Sequence, residues 1–365
     1  MKQGRSTQKS AGRKIRRREF LAKAGTAFGG VGAAATLGFP AIVSGAEGEI
    51  VLYAWYQTVF RELIPKFEAE TGIRVNNIGG YSKDDEWWAK VQTGESFDII
   101  VPGGNRVANG IAAGAFTPID LSKVPNYANL YERVRNIPDF MADGAHYVVP
   151  MSQVIYSMFY NTNQIKSAPE SWQACWDSAH AGKIIMNDRA RQTVAIASLM
   201  LGDDPNNPQK WDDIKTLLME QKPHILKYWT DHKATTEMLV REQAHIGMFT
   251  DGRTRRAMHD GAPVRPHIPK EGAMHLIDSL AIPSTAKNPE LAHEFINWML
   301  RPESSAGVTE GLYYDAMNSK AQPQIETNIL ETFDLPNQDK LVILRDVPPA
   351  LKKQIDELWL EVKLS

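Results

Sequence analysis

A single cysteine, Cys175, stands in a chain of 365 residues. One thiol excludes a disulfide scaffold and any zinc site built on several thiolates. The chain also lacks a GxSxG elbow, a Walker loop and an HExxH helix, so the common hydrolase, nucleotide-binding and metalloprotease signatures are absent. Its nine histidines are scattered, with no pair at helical ligand spacing, and read as surface or capping residues. Beyond residue 46 no hydrophobic run is long enough to span a bilayer. What remains is ordinary globular material: 43% hydrophobic, 23% charged, and long enough for about two domains with real cores.

Charge is scarce only in appearance. The net value of −2 averages two unlike pieces. Residues 1–46 hold nine of the basic residues and one acid, Glu19, and from Ala24 to Ala46 there is no charge at all. A basic start, an apolar stretch and the small residues Ser44 and Ala46 describe a secretory signal cut after Ala46. Within it, Arg16-Arg17-Arg18-Glu19-Phe20-Leu21 resembles a twin-arginine export signal. An uncleaved membrane anchor is the alternative, weakened by glycines at 25, 29, 30, 32 and 38. Gly30-Val31-Gly32 mimics a dinucleotide fingerprint but follows no strand, and is set aside. Without 1–46 the chain has 32 basic and 42 acidic residues, net −10, which disfavours nucleic acid as a partner. The reading is an exported, acidic protein with no stable membrane insertion once the signal is gone.

Patterning in the mature part alternates strand and helix. Glu49–Trp55 reads as a strand. Phe60, Leu63, Ile64 and Phe67 fall on one helical face that stops at Gly72, and Ile73–Ile78 reads as the next strand. A helix over 84–94 and a strand over 97–101 follow, the latter ended by Pro102-Gly103-Gly104. Further strands are predicted at 146–149, 155–160, 183–186, 245–249 and 276–282, and helices at 192–201, 211–220, 289–301 and 349–362. Such alternation means βαβ units, a parallel sheet and helices on both faces. Two α/β lobes are expected, residues 47–153 with 277–327 and residues 154–276 with 328–365.

Few residues point to chemistry. Cys175, inside Trp172–Trp176, reads as a small buried hydrophobe. Arg253, Arg255 and Arg256 read as a solvated basic helix start, and Trp87, Trp88 and Trp229 as packing aromatics. Gly103-Gly104-Asn105 could present backbone N–H groups to an anion, or be a plain tight turn.

Several blocks resemble the periplasmic spermidine/putrescine-binding proteins of ABC transporters. They are LYAW at 52–55, FEAETGIRV at 67–75, FDIIVPG at 97–103, GKIIMNDRAR at 182–191, IDSLAIP at 277–283, the helix ending WMLRP at 302, and GLYYDAMN at 311–318. The resemblance implies an α/β, two-lobe periplasmic binding protein of type II, with a hinge and an interlobe ligand cleft. It implies a small-molecule ligand and ABC permease subunits as partners, a monomer, no cofactor, no metal and no enzymatic activity. Closure on the ligand would offer the permease a shape distinct from the open form.

The family holds polyamine ammonium groups on carboxylates and sandwiches the methylene chain between aromatic rings. The resemblance carries ligand-binding roles onto Trp55, Asp278, Tyr314 and Asp188. It also marks departures. Gln57 and Arg191 stand where the family has Glu, Thr250 and Leu276 where it has Trp, and Gly103 and Asn105 where it has Ser and Tyr. Leu344 stands where it has a Gln. Two lost carboxylates and an added guanidinium suggest a zwitterionic or anionic amino compound, its anion on Arg191 and its amine on Asp278. A true polyamine remains the alternative, with Arg191 in a solvated bridge to Asp188. A one-residue slip would give the role to Arg189 and Gln192. Tyr313-Tyr314 resembles the adjacent tyrosines of some ferric-ion carriers, which leaves ferric-ion binding, or an exported enzyme on the same scaffold, as further alternatives.

Overall fold

The computed structural model describes residues 48–365, apart from Tyr56, Ser82, Lys83, Gln322 and Gln324 and the side chains of Gln57, Thr58 and Asp84. The predicted export signal and its cut after Ala46 lie outside the described residues.

The chain opens with β1 (Gly48–Tyr53), α1 (Gln57–Thr71), β2 (Ile73–Asn77), α2 (Asp84–Gln92) and β3 (Ile99–Ile100). The predicted apolar face of α1 is the buried one: Phe60 and Phe67 are sealed, and Phe67 meets Phe295 edge-on at 5.0 Å. Gly72, at φ 76°, ends the helix in the left-handed conformation that favours glycine. Short elements follow: α3 (Val107–Ala112), α4 (Glu132–Arg135), β4 (Met141–Ala142) and β5 (Ala145–His146).

Next comes β6 (Val148–Asn161), one strand of 14 residues where two were predicted. Then follow β7 (Ile184–Asn187), α5 (Ala190–Met200), α6 (Trp211–Gln221), β8 (Ile225–Trp229), α7 (His232–Val240), β9 (Ile246–Thr250), α8 (Asp251–His259), β10 (Val264–His267) and β11 (Ala273–Ala281). The chain closes with α9 (Pro289–Met299), α10 (Pro302–Leu312), β12 (Asp315–Ala316), α11 (Thr327–Leu330), β13 (Leu341–Ile343) and α12 (Pro349–Leu364). The α9 face Ala292, Phe295, Ile296 and Met299 is buried as its spacing predicts, and Pro289 occupies the first turn, where its missing N–H costs nothing. Among the described residues no helix is long and apolar enough to cross a membrane.

The main sheet runs β2-β1-β3-β11-β6-β9-β7-β8. At one end β2, β1 and β3 are parallel; at the other β9, β7 and β8 are parallel. The antiparallel strands β11 and β6 join the two halves. The α/β class is as expected, but the sheet is mixed rather than wholly parallel, because β11 and β6 run antiparallel through its middle. One core is built on Leu52, Phe67, Ile100, Val149, Leu280 and Phe295, another on Ile155, Met186, Ile246, Met274 and Trp359. On β6 the change of core falls between Val154 and Ile155. Cys175 is fully buried, as expected, and burial pushes its thiol far above the ordinary cysteine range.

Candidate functional site

Sheet order brings strand ends together. Tyr53 of β1 pairs with Ile100 of β3, and Ile100 opposes Ala281 of antiparallel β11. The carboxyl ends of β1 and β3 therefore lie beside Asp278, in the place where open α/β sheets bind ligands. Trp55 follows β1 and leans on Tyr81 at 4.6 Å, while the Tyr81 hydroxyl donates to the Val101 carbonyl at 2.5 Å. Gly103 and Asn105 follow β3. A Cβ on Gly104 would lie 2.9 Å from the Ile277 carbonyl oxygen, so only glycine lets this turn lie flat on β11 beside Asp278. The Ser279 N–H donates to the Pro102 carbonyl at 3.3 Å and fixes the same contact.

Asp278 is 7% exposed and pairs with Ser152 of β6, one residue before a bulge at Ser279. Across β6 from it, Ser152 pairs with Ala316 of β12, which puts Tyr314 on the same face two residues away. Tyr314 is buried, and a Cβ on Gly252 would lie 2.3 Å from its ring, so α8 starts with a glycine flush against it. Its phenol is pushed far up by burial, against the pull of Arg253 and the Thr250 hydroxyl. Thr250 ends β9 opposite Tyr156. Gln192 of α5 reaches the Tyr156 hydroxyl at 3.3 Å. Asp278, Ser152, Tyr314, Tyr156, Thr250 and Gln192 thus share one floor where the halves of the sheet join.

Two expected members point elsewhere. The Asp188 carboxylate accepts from Lys363 Nζ at 3.0 Å and Trp359 Nε1 at 3.2 Å, both on α12. Arg191 donates to the Pro205 carbonyl at 2.5 Å, to Asn206 Oδ1 at 2.6 Å and to the Arg345 carbonyl at 3.4 Å. Burial lowers its pKa to about 10, with Asp204 and Asp346 opposing, so it stays protonated at neutral pH. Its partners are loop groups rather than Asp188. Gln57 opens α1, but its side chain lies outside the described residues. Leu344 is sealed in the second core. Of the slipped pair, Gln192 faces the floor. Arg189 lies near His232, whose pKa falls to about 4 through burial first, then the charges of Arg253 and Arg189.

Sequence reasoning missed Ser152 and Tyr156. The available signal was a polar Ser152-Gln153 pair inside an otherwise apolar run. It also misread Arg255. Arg253 and Arg256 are exposed, but Arg255 is 1% exposed and pairs with buried Asp251 at 2.5 Å. Arg255 further donates to Thr332 Oγ1 and the Thr332 and Tyr313 carbonyls, and lies 3.9 Å over the Phe333 ring. Asp251 Oδ1 accepts from the Ile155 N–H at 2.9 Å. Burial raises the Asp251 pKa against the pull of Arg255. This pair ties α8 to β6 and to the segment leading into Tyr314. Solvation was the wrong expectation because, besides Asp251 one turn back, its partners Thr332, Tyr313 and Phe333 come from a distant part of the chain. The described residues contain no group of three or more His, Cys, Asp or Glu arranged to hold a metal.

The family model for the bacterial extracellular solute-binding protein matches residues 62–332. The chain belongs to that family. It is 31% identical over 292 residues to "Spermidine/putrescine-binding periplasmic protein 1" of Haemophilus influenzae, covering 78% of this chain and 80% of that one. It is 28% identical over 301 residues to the spermidine/putrescine-binding periplasmic protein of Escherichia coli, covering 81% and 85%. Among solved structures, the spermidine/putrescine ABC transporter substrate-binding protein PotD of Streptococcus pneumoniae superposes with a TM-score of 0.79 at 22% identity. That match covers 87% of this chain and 99% of that one. The fold is the two-lobe periplasmic binding protein fold.

Proposed function

We propose that this protein is the solute-binding component of an ABC transporter, exported to the periplasm on a twin-arginine-type signal, where it works as a monomer and not as an enzyme. It captures a small organic amine where the two halves of its sheet join and delivers it to permease subunits. The reading is carried by Asp278, a nearly sealed carboxylate at the carboxyl ends of β1 and β3. Trp55 and Tyr314 supply rings near it, and aromatic faces attract ammonium groups. The relatives named for spermidine and putrescine support the same class of ligand.

A second reading rests on the exchange of two expected Glu for Gln57 and Arg191. It gives the ligand a carboxylate beside its amine. The contacts of Arg191 weigh toward the first reading: three of its five N–H donors go to Pro205, Asn206 and Arg345, while Nε meets no hydrogen-bond partner among the described residues. A guanidinium tied in this way to protein oxygens has fewer donors to offer a ligand anion.

Calorimetric titration of residues 47–365 with putrescine, spermidine and 4-aminobutyrate separates the two. Binding of the first two above the last supports the amine reading. Binding of 4-aminobutyrate alone transfers the function to a zwitterion.

A further inference from the structure

We propose that Ser152 is a second recognition residue of this cleft, which accepts a hydrogen bond from a primary ammonium group held by Asp278. The inference rests on the amine reading above and deepens it.

Ser152 is fully buried in β6, and its Oγ meets no hydrogen-bond partner among the described residues. A buried hydroxyl left in that state carries a desolvation cost that native folds avoid, so it calls for an explanation. Its position supplies one. Ser152 pairs with Asp278 on one side and with Ala316 on the other. Side chains directly opposite across an antiparallel pair stand about 5 Å apart on the same face. A nitrogen seated against Asp278 therefore lies within reach of Ser152. The neighbouring Gln153 pairs with Ile277 and Asp315 and so faces the other side of the sheet.

The chemistry selects the ligand head. A primary ammonium carries three N–H donors, and one carboxylate leaves at least one of them seeking an acceptor. Ser Oγ offers lone pairs without adding charge, so it satisfies that donor where a second buried carboxylate would carry a desolvation penalty. A quaternary ammonium has no N–H to give and gains nothing from Ser152. This residue would make the site discriminate among amines by their hydrogens, beyond their charge.

The test is Ser152→Ala in the chain 47–365, titrated calorimetrically with 1,4-diaminobutane. Removing an acceptor for a charged donor is expected to weaken binding about tenfold or more. The melting temperature of the unliganded variant should match or exceed wild type, since the lost hydroxyl has no partner without ligand and its burial cost is removed. Unchanged affinity with a binding-competent wild type overturns the role of Ser152 alone. An unliganded melting temperature that falls in proportion to affinity also overturns it, because that marks a packing role. A wild-type chain that binds no diamine overturns the amine reading itself, and the two failures are told apart by that control.

Discussion

Arg191 grips Asn206: its Nη2 donates to the Asn206 Oδ1 at 2.6 Å, and the same Oδ1 accepts the Arg345 N–H at 2.9 Å. One amide oxygen thus ties the first turn of α5 to the segment after β13. Arg191→Ala removes charged hydrogen bonds from a largely buried group, each worth about 1.5–3 kcal/mol. The melting temperature should fall by several degrees, read by calorimetry. Affinity for putrescine should hold within about threefold. A collapse of 4-aminobutyrate binding with stability intact would return Arg191 to the ligand.

Asp278→Asn keeps the size of the side chain and removes its charge. Truncating one member of a buried charge pair costs about 2–5 kcal/mol, which corresponds to about thirtyfold to several-thousandfold in affinity. Titration with putrescine and spermidine should show a loss in that range, and the folded structure should persist by circular dichroism. An affinity unchanged by the substitution removes Asp278 as the anchor.

Periodicity made the scaffold legible. The helical faces of α1 and α9, and the ends of β1 before Trp55 and of β3 before Gly103, follow from local spacing, because each element buries one stripe. The single long β6 did not, since Pro150 and the polar Ser152-Gln153 pair look like a break. In the sheet Pro150 stands opposite Ser279 at the bulge, where irregular pairing tolerates it. Asp278 and Tyr314 are pointed to by resemblance alone. The partners of Arg191 were not legible, because they lie 14, 15 and 154 residues away. No local pattern reports contacts made by the tertiary fold.

A bridge beside Arg191 links the two cores. Asp346, between the buried Leu344 and Val347 of the second core, accepts from Asn109 Nδ2 of α3 at 2.5 Å and faces Arg106 at 3.7 Å. Arg345 meets Asp139 at 3.2 Å. Asp346→Ala should favour an open arrangement and weaken ligand binding about three- to tenfold, since ligand must then supply more of the closing free energy. Small-angle scattering should report a larger radius of gyration without ligand. An unchanged radius and affinity would mean that these contacts do not bias closure.

Arg255 and Asp251 form the most deeply buried ion pair among the described residues. Arg255→Met strands the Asp251 carboxylate and should cost about 3–5 kcal/mol, far above the effect of any exposed pair. The double variant Arg255→Met, Asp251→Leu should recover part of that loss, because no unpaired charge remains. Denaturant unfolding of the single and double variants checks this. Additive losses would show that charge stranding is not the cause.

Acid should weaken the fold through His275. The imidazole is 7% exposed on β11, and burial first, then the charge of Arg133, holds its pKa near 4. In the unfolded chain a histidine titrates near the ordinary 6.5. As pH falls through 6.5 the unfolded state takes up a proton that the folded state refuses until about 4, so stability is full above that window and declines across it. The total is on the order of 3 kcal/mol, with about 2 kcal/mol of it lost between pH 7 and pH 5. His232, also held near 4, adds a parallel decline. Denaturant midpoints at pH 7 and pH 5 should show His275→Gln losing less stability on acidification than wild type. Equal losses in the two proteins would mean that His275 takes up its proton in the fold over the same pH range as in the unfolded chain.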